Sequence, residues 1–177
     1  MIRTCTPNDA ALIADLQRRH REELGFLPHM AINEALDERR VAVTTENDAD
    51  AGYILWRPRL KQIPRVRPII QAAVCMDARR RHHGLALLDA LAREAQAAGQ
   101  DVLQCWCAAD IAAVGFWLEA GFTEVLRQDP SCNVRGRELI LFRRSIVAGD
   151  LAEVPLPTHV GRSCTPLRVS RQFRWRW

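Results

Sequence analysis

The chain has 177 residues, a formal net charge of +4, and 48% hydrophobic against 26% charged residues, the size and balance of one globular domain with room for an appendage. No apolar run approaches the roughly 18 to 20 residues of a membrane span, and the opening MIRTC reads as a strand without the apolar stretch of a secretory leader. The expectation is therefore a cytoplasmic protein with no membrane partner. A charge of +4 spread along the chain is too weak to indicate nucleic-acid binding, and the arginine skew (all basic Lys and Arg residues but Lys61) is read as the coding bias of a GC-rich genome. Six cysteines, Cys5, Cys75, Cys105, Cys107, Cys132 and Cys164, are dispersed and lack zinc-site spacing. They read as free thiols of a reducing compartment, and no metal site is expected.

In chain order, residues 1–6 form a short strand. Thr6-Pro7-Asn8-Asp9 then supplies an N-cap, a proline at the first helical position and an acid at the third. Ile13, Leu16, His20 and Leu24 recur at helical spacing up to Gly25, predicting one amphipathic helix over 7–24 with His20 at its boundary as a core histidine. A loop at 25–30 precedes a shorter helix in AINEALDERR. RVAVTT (40–45) and GYILW (52–56) read as the strands of a hairpin turned at residues 47–50. The three prolines in residues 57–68 make a loop, and IIQAAVCM (69–76) is apolar enough for a central strand covered on both faces. From Gly84 a helical stripe of Leu85, Leu88, Leu91 and Ala95 runs to a capping Gly99. DVLQCWC (101–107) is a buried strand, residues 108–122 a helix closed by a glycine–aromatic pair, and TEVLRQ with RELILFRR (137–144) a final hairpin. The order β, α, α, β, β, β, α, β, α, β, β predicts a mixed α/β (α+β) sheet with helices on both faces, in a domain of residues 1–147. Residues 148–177, with three prolines, five arginines and the terminal Trp175 and Trp177, show no period and read as an irregular extension outside the core.

One stretch conflicts with helix electrostatics. Arg79, Arg80, Arg81, His82 and His83 gather where a helix begins, although its positive dipole end disfavours cations. The unpartnered N–H groups of a helix start form an anion site, so the cluster makes sense around a polyanion.

Arg81-His82-His83-Gly84-Leu85-Ala86 resembles the Gln/Arg-x-x-Gly-x-Gly/Ala signature of the GNAT superfamily of N-acetyltransferases. A second stretch, Asp110-Ile-Ala-Ala113-Val-Gly-Phe116-Trp117 followed by Gly121-Phe122, is similar to that family's Asn-x-x-Ala-x-x-Phe-Tyr helix and Gly-Phe. The resemblance covers about residues 1–146 and includes the element order. It implies the acyl-CoA N-acyltransferase fold with acetyl-CoA as cosubstrate. N–H groups from about His82 to Leu87 would cradle the diphosphate, exposed by Gly84 and Ala86. Arg81, with Arg79 or Arg80, would bond it at the rim. Backbone near Val74 and Met76 would hold the pantetheine arm, and the cleft would lie between Val74 and Phe116.

The chain departs from the family pattern at the catalytic positions. Trp117 stands where many members carry a tyrosine acid, and the central strand offers Gln71 in place of a glutamate base. Tyr53, the single tyrosine, lies on an earlier strand. No acid or base is therefore assigned. Two readings stay open: an acetyltransferase of an unidentified small-molecule or protein amine, and an inactive GNAT-fold adaptor docked in a larger assembly, such as a virus particle, through the Arg- and Trp-bearing tail.

Overall fold

The computed structural model describes residues 1–25, 27–47, 49–132, 136–147, 149, 151 and 154–156. Seven strands, β1 (Ile2–Thr4), β2 (Val41–Glu46), β3 (Ala49–Trp56), β4 (Val66–Val74), β5 (Val102–Ala108), β6 (Thr123–Gln128) and β7 (Leu139–Ser145), form one sheet in the order β1-β2-β3-β4-β5-β7-β6. Every pairing is antiparallel except β4 with β5. That parallel step requires a crossover, and α4 (His83–Ala97) supplies it. The remaining helices are α1 (Ala10–Arg19), α2 (Arg21–Leu24), α3 (His29–Asp37) and α5 (Ala113–Glu119). This is the expected mixed sheet and element order.

Two cores flank the sheet. Leu87, Leu88, Leu91 and Ala95 of α4 pack with Ile54, Ile69, Leu103, Cys105, Cys107, Phe142 and the α5 residue Trp117 on one face. On the other face Ile13, Leu16, Ile32 and Leu36 of α1 and α3 cover Val41, Val43, Tyr53 and Leu55. Each fully buried leucine contributes about 1.5–3 kcal/mol by leaving water, so the helical stripes seen in the sequence are the binding faces of the layers.

The predicted boundaries shift for local reasons. The helix expected over 7–24 is divided: a 3-10 turn at Pro7–Asp9 leads into α1, and His20, with φ −111° and ψ 18°, breaks it from α2. His20 is buried there, its Nδ1 3.3 Å from Glu23 Oε2. The strand expected from residue 69 starts at Val66 and stops at Val74, and Met76–Ala78 turns as a 3-10 segment. The helix expected over 108–122 is confined to α5, because Ala108 still pairs with Leu139 in the sheet and Arg137 ties Asp110 into the preceding turn. Gly121, at φ +81°, ends that helix, with Phe122 N–H bonding Trp117 O at 3.0 Å.

The extension is not wholly separate from the domain. Val154 is buried beside Ile63, Val66 and Val102, and Leu151 packs on the same cluster. The fully buried Arg143 of β7 donates to Gln104 Oε1 at 2.9 Å and to the carbonyls of Val154 and Pro155, each at 2.7 Å. Residues 157–177, which carry the expected docking tryptophans and arginines, lie outside the described residues.

Candidate functional site

The site begins with a failure of pairing. β4 and β5 run side by side only from Val66↔Val102 to Ile69↔Cys105. Beyond that point β4 stays with β3 as far as Val74, and β5 stays with β7 as far as Ala108. Between them opens a wedge about five residues long, roughly 16 Å at strand rise. Gly52 draws β4 toward β3: a Cβ there would meet Ala73 O at 2.5 Å and Val74 Cα at 3.0 Å, so only a glycine permits that approach. Cys75 N–H bonds Ala51 O at 2.8 Å and closes the same contact. Because backbone groups alternate sides along an antiparallel strand, Ala72 and Val74 turn theirs into the wedge. The Val74 carbonyl accepts from Arg79 Nε at 3.4 Å.

A cavity of about 960 Å³ occupies the wedge and reaches both faces of the sheet. On the α4/α5 face it is lined by His82, His83, Gly84, Leu85, Phe116 and Trp117. On the α1/α2 face Glu23, Leu24, Leu27, Tyr53 and Gln71 line it. The strand expected to be buried on both faces is thus only half-buried from Ala72 to Val74, and Trp106 is 38% exposed.

At the head of the wedge the chain enters α4 through two left-handed residues, Arg80 (φ 63°) and His82 (φ 61°), neither a glycine. Such conformations carry strain that surrounding structure must hold, and alternating them points successive N–H groups into one concavity. From Arg80 to Leu85 no backbone N–H has an acceptor among the described residues; Ala86 is the first, bonding His82 O at 2.9 Å. Gly84 matters here by closeness: a Cβ would lie 2.8 Å from the tip of the Phe116 ring. Of this run, Arg80, His82, His83, Gly84 and Leu85 line the cavity.

The charges around it differ from expectation. Arg81 does not line the cavity; its Nη1 pairs with Glu46 Oε2 at 2.7 Å. Burial pushes the Glu46 carboxyl up, but the Arg81 hydrogen bond and charge outweigh it and hold that carboxyl below its usual value. Arg79 pairs with Glu23 at 3.1 Å. Arg80 lines the cavity with no ion pair among the described residues. His83 Nδ1 meets Thr44 Oγ1 at 3.0 Å, while its Nε2 lies 3.5 Å from Glu46 Oε2, beyond normal hydrogen-bond length, and is buried without such a bond. Of the residues expected to hold a cofactor, Val74, His82, His83, Gly84, Leu85 and Phe116 converge on the cavity, and Arg81, Ala86 and Met76 do not line it. Met76 lies past the end of β4, 73% exposed.

The protic groups are as follows. Tyr53 is fully buried, its hydroxyl donating to Gln71 Oε1 at 2.9 Å, and burial drives it well above the usual phenol value. Gln17 also donates to Gln71 Oε1, at 3.3 Å. Trp117 stacks edge-on with Phe116 and Phe122. Cys5, Cys75, Cys105 and Cys107 are free and buried; the Cys132 side chain and Cys164 lie outside the described residues. Among the described residues no group of His, Cys, Asp or Glu is placed to hold a metal, and no helix is long and apolar enough to cross a membrane. Sequence reasoning missed Thr44, Glu46, Glu23 and Gln17, which no local motif marks.

No family model and no curated protein matches this sequence. Solved structures match it in shape. Ard1 from Thermoplasma volcanium superposes with a TM-score of 0.71 at 17% identity, over 83% of this chain and 97% of that one. The yncA protein from Salmonella typhimurium, solved with its cofactor acetyl-CoA, gives 0.70 at 17% identity, over 84% and 95%. An acetyltransferase of the GNAT family from Streptococcus pneumoniae gives 0.67 at 20% identity, over 83% and 99%. The fold of this chain is the GNAT acetyltransferase fold.

Proposed function

We propose that this chain is an acetyl-CoA-dependent N-acetyltransferase whose acceptor amine is not specified by any motif. The observation that carries the reading is the conjunction of a wedge through the sheet with a row of unpartnered N–H groups at its head. Amides from Arg80 to Leu85, aided by the Arg80 guanidinium, suit a diphosphate. The groups that Ala72 and Val74 turn into the wedge suit the amide-bearing arm, which would add to β4 as a short strand does. The residues fit acetyl-CoA, which brings an activated acyl group as a thioester. The α1/α2 mouth, with Leu24, Leu27, Tyr53 and Gln71, would admit the amine from the opposite face. Bringing the two together in one passage supplies the main advantage, since fixed orientation replaces a bimolecular encounter.

Isothermal titration with acetyl-CoA tests this directly. The expected result is one site per chain with a micromolar Kd, weakened about tenfold or more by Gly84→Val, whose branches would displace Phe116 into the passage. No heat at high micromolar protein would overturn the reading.

A further inference from the structure

Transfer of an acetyl group to an amine leaves a thiolate that must be protonated. The groups lining the cavity narrow the choice of donor. Tyr53 is committed to Gln71, and its hydroxyl belongs to the face where α1 and α2 pack. Glu23 is held at the rim by Arg79 and His20. His83 is engaged with Thr44 at the head of the wedge, beside His82, and Glu119 is exposed on α5. Cys105 lies at the apex, where β4 and β5 still pair, and is 3% exposed. Cys107 is different. It is nearly as buried, at 5%, and its S–H lies 3.5 Å from the Ala108 carbonyl, but it sits two residues farther out, on the parted length of β5, and lines the cavity next to Trp117.

We propose, building on the acetyltransferase reading, that Cys107 faces the thioester sulfur and is the catalytic residue that protonates the departing thiolate. The amine nitrogen attacks the carbonyl carbon, the C–N bond forms, the C–S bond breaks, and its electron pair stays on the CoA sulfur. The Cys107 S–H proton passes to that sulfur. The resulting Cys107 thiolate takes up the proton released by the acylated nitrogen, directly or through a water, and the residue is restored. Burial pushes this thiol up to about 11, against the opposing pull of a hydrogen bond from Trp117, so it carries its proton at neutral pH. The Trp117 indole then has a positioning role: it cannot give up a proton itself, but it lowers the cost of forming the Cys107 thiolate.

The test needs no acceptor. CoA is bound to the wild type, Cys107→Ser and Cys107→Ala, and its thiol is titrated by the ultraviolet absorbance of the thiolate. A donor at the sulfur lowers the bound thiol by roughly one unit in the wild type and in the serine variant, and the alanine variant loses that shift. Acetyl-CoA affinity by calorimetry stays within a fewfold in all three. In parallel, the mixed disulfide of CoA with thiopyridine forms an adduct on wild-type Cys107, seen by peptide mass spectrometry and suppressed by excess CoA. Binding with identical thiol titrations in all three proteins, or an adduct spread evenly over the cysteines, overturns the role of Cys107 alone. Absence of acetyl-CoA binding by any of the three overturns the acetyltransferase reading and this one with it.

Discussion

The same two strands behave in opposite ways along their length. From Val66 to Ile69 and Val102 to Cys105 they pair, and everything around them is sealed. Arg67, 3% exposed, meets Glu94 of α4 at 2.9 Å, and Val154 caps Val66 and Val102 from the other side. From Ile70 to Val74 and Trp106 to Ala108 they part, and polar backbone that a sheet would normally satisfy is left to face a cavity. Unsatisfied backbone costs stability, so the parted half is stabilised elsewhere: by β3, by β7 and by the closed half beneath it. The lesson is a division of labour. Substitutions in the paired half should cost stability and spare ligand binding, and those in the parted half should weaken ligand binding as well.

The strongest challenge to that division comes from Arg143. Burial draws its guanidinium down to about 10, yet it remains charged at neutral pH, satisfied by three neutral oxygens. Arg143→Met leaves the buried oxygens of Gln104 and Val154 without their donor, and a loss of about 3 kcal/mol is expected, read by urea denaturation. Acetyl-CoA affinity of the folded fraction should not change; a tenfold loss would show that the two halves are coupled. A smaller effect on stability, about 2 kcal/mol as for an overpacked site, is expected from Gly52→Ala, since its Cβ meets backbone that cannot rotate away. Here binding should suffer too, by about tenfold, because relieving the 2.5 Å approach to Ala73 O pushes β4 back into the wedge. Unchanged affinity would mean that Gly52 does not hold the strands apart.

What the sequence showed of this arrangement follows the same division. Local signals were legible: the Thr6–Asp9 helix start, the α4 stripe, the glycine stops at 99 and 121, and the turn at Gly84. The element order and the family signature together gave the fold. What stayed hidden depends on partners far away in the chain. Nothing near Arg81 announces that Glu46, 35 positions earlier, takes it from the rim. Nothing in the alternation of VRPIIQAAV says where its parallel neighbour lets go, because the pattern is apolar on both sides of the break. The α5 start was misplaced because Ile111 and Ala112 suit a helix as well as a turn, and a pairing between Ala108 and Leu139 decides it. Cys107 read in the sequence as one more free thiol, because its place on the wedge depends on the register between β5 and β7.

The Arg3–Asp9 pair at the β1 edge lies in neither half and gives the scale for purely local stabilisation. Arg3 grips both carboxylate oxygens, at 2.8 and 2.9 Å, and Thr6 N–H donates to the same group at 2.8 Å. These bonds, chiefly those from Arg3, outweigh the upward push of burial and hold Asp9 at about 2. Since the folded value lies below the unfolded one of about 3.9, the contribution is fully present above about pH 4 and disappears as pH falls through 2. Arg3 is 39% exposed, so solvent screening keeps the effect of Asp9→Asn to about 1 kcal/mol at pH 7. Urea midpoints of the two proteins should therefore differ at pH 7 and draw together as the pH is lowered toward 2. Acetyl-CoA affinity should be the same in both, because this helix start touches neither the cradle nor the wedge. A difference that persists undiminished at pH 2 would mean that the asparagine disturbs the packing of the turn, and that the ionised carboxylate is not what stabilises it.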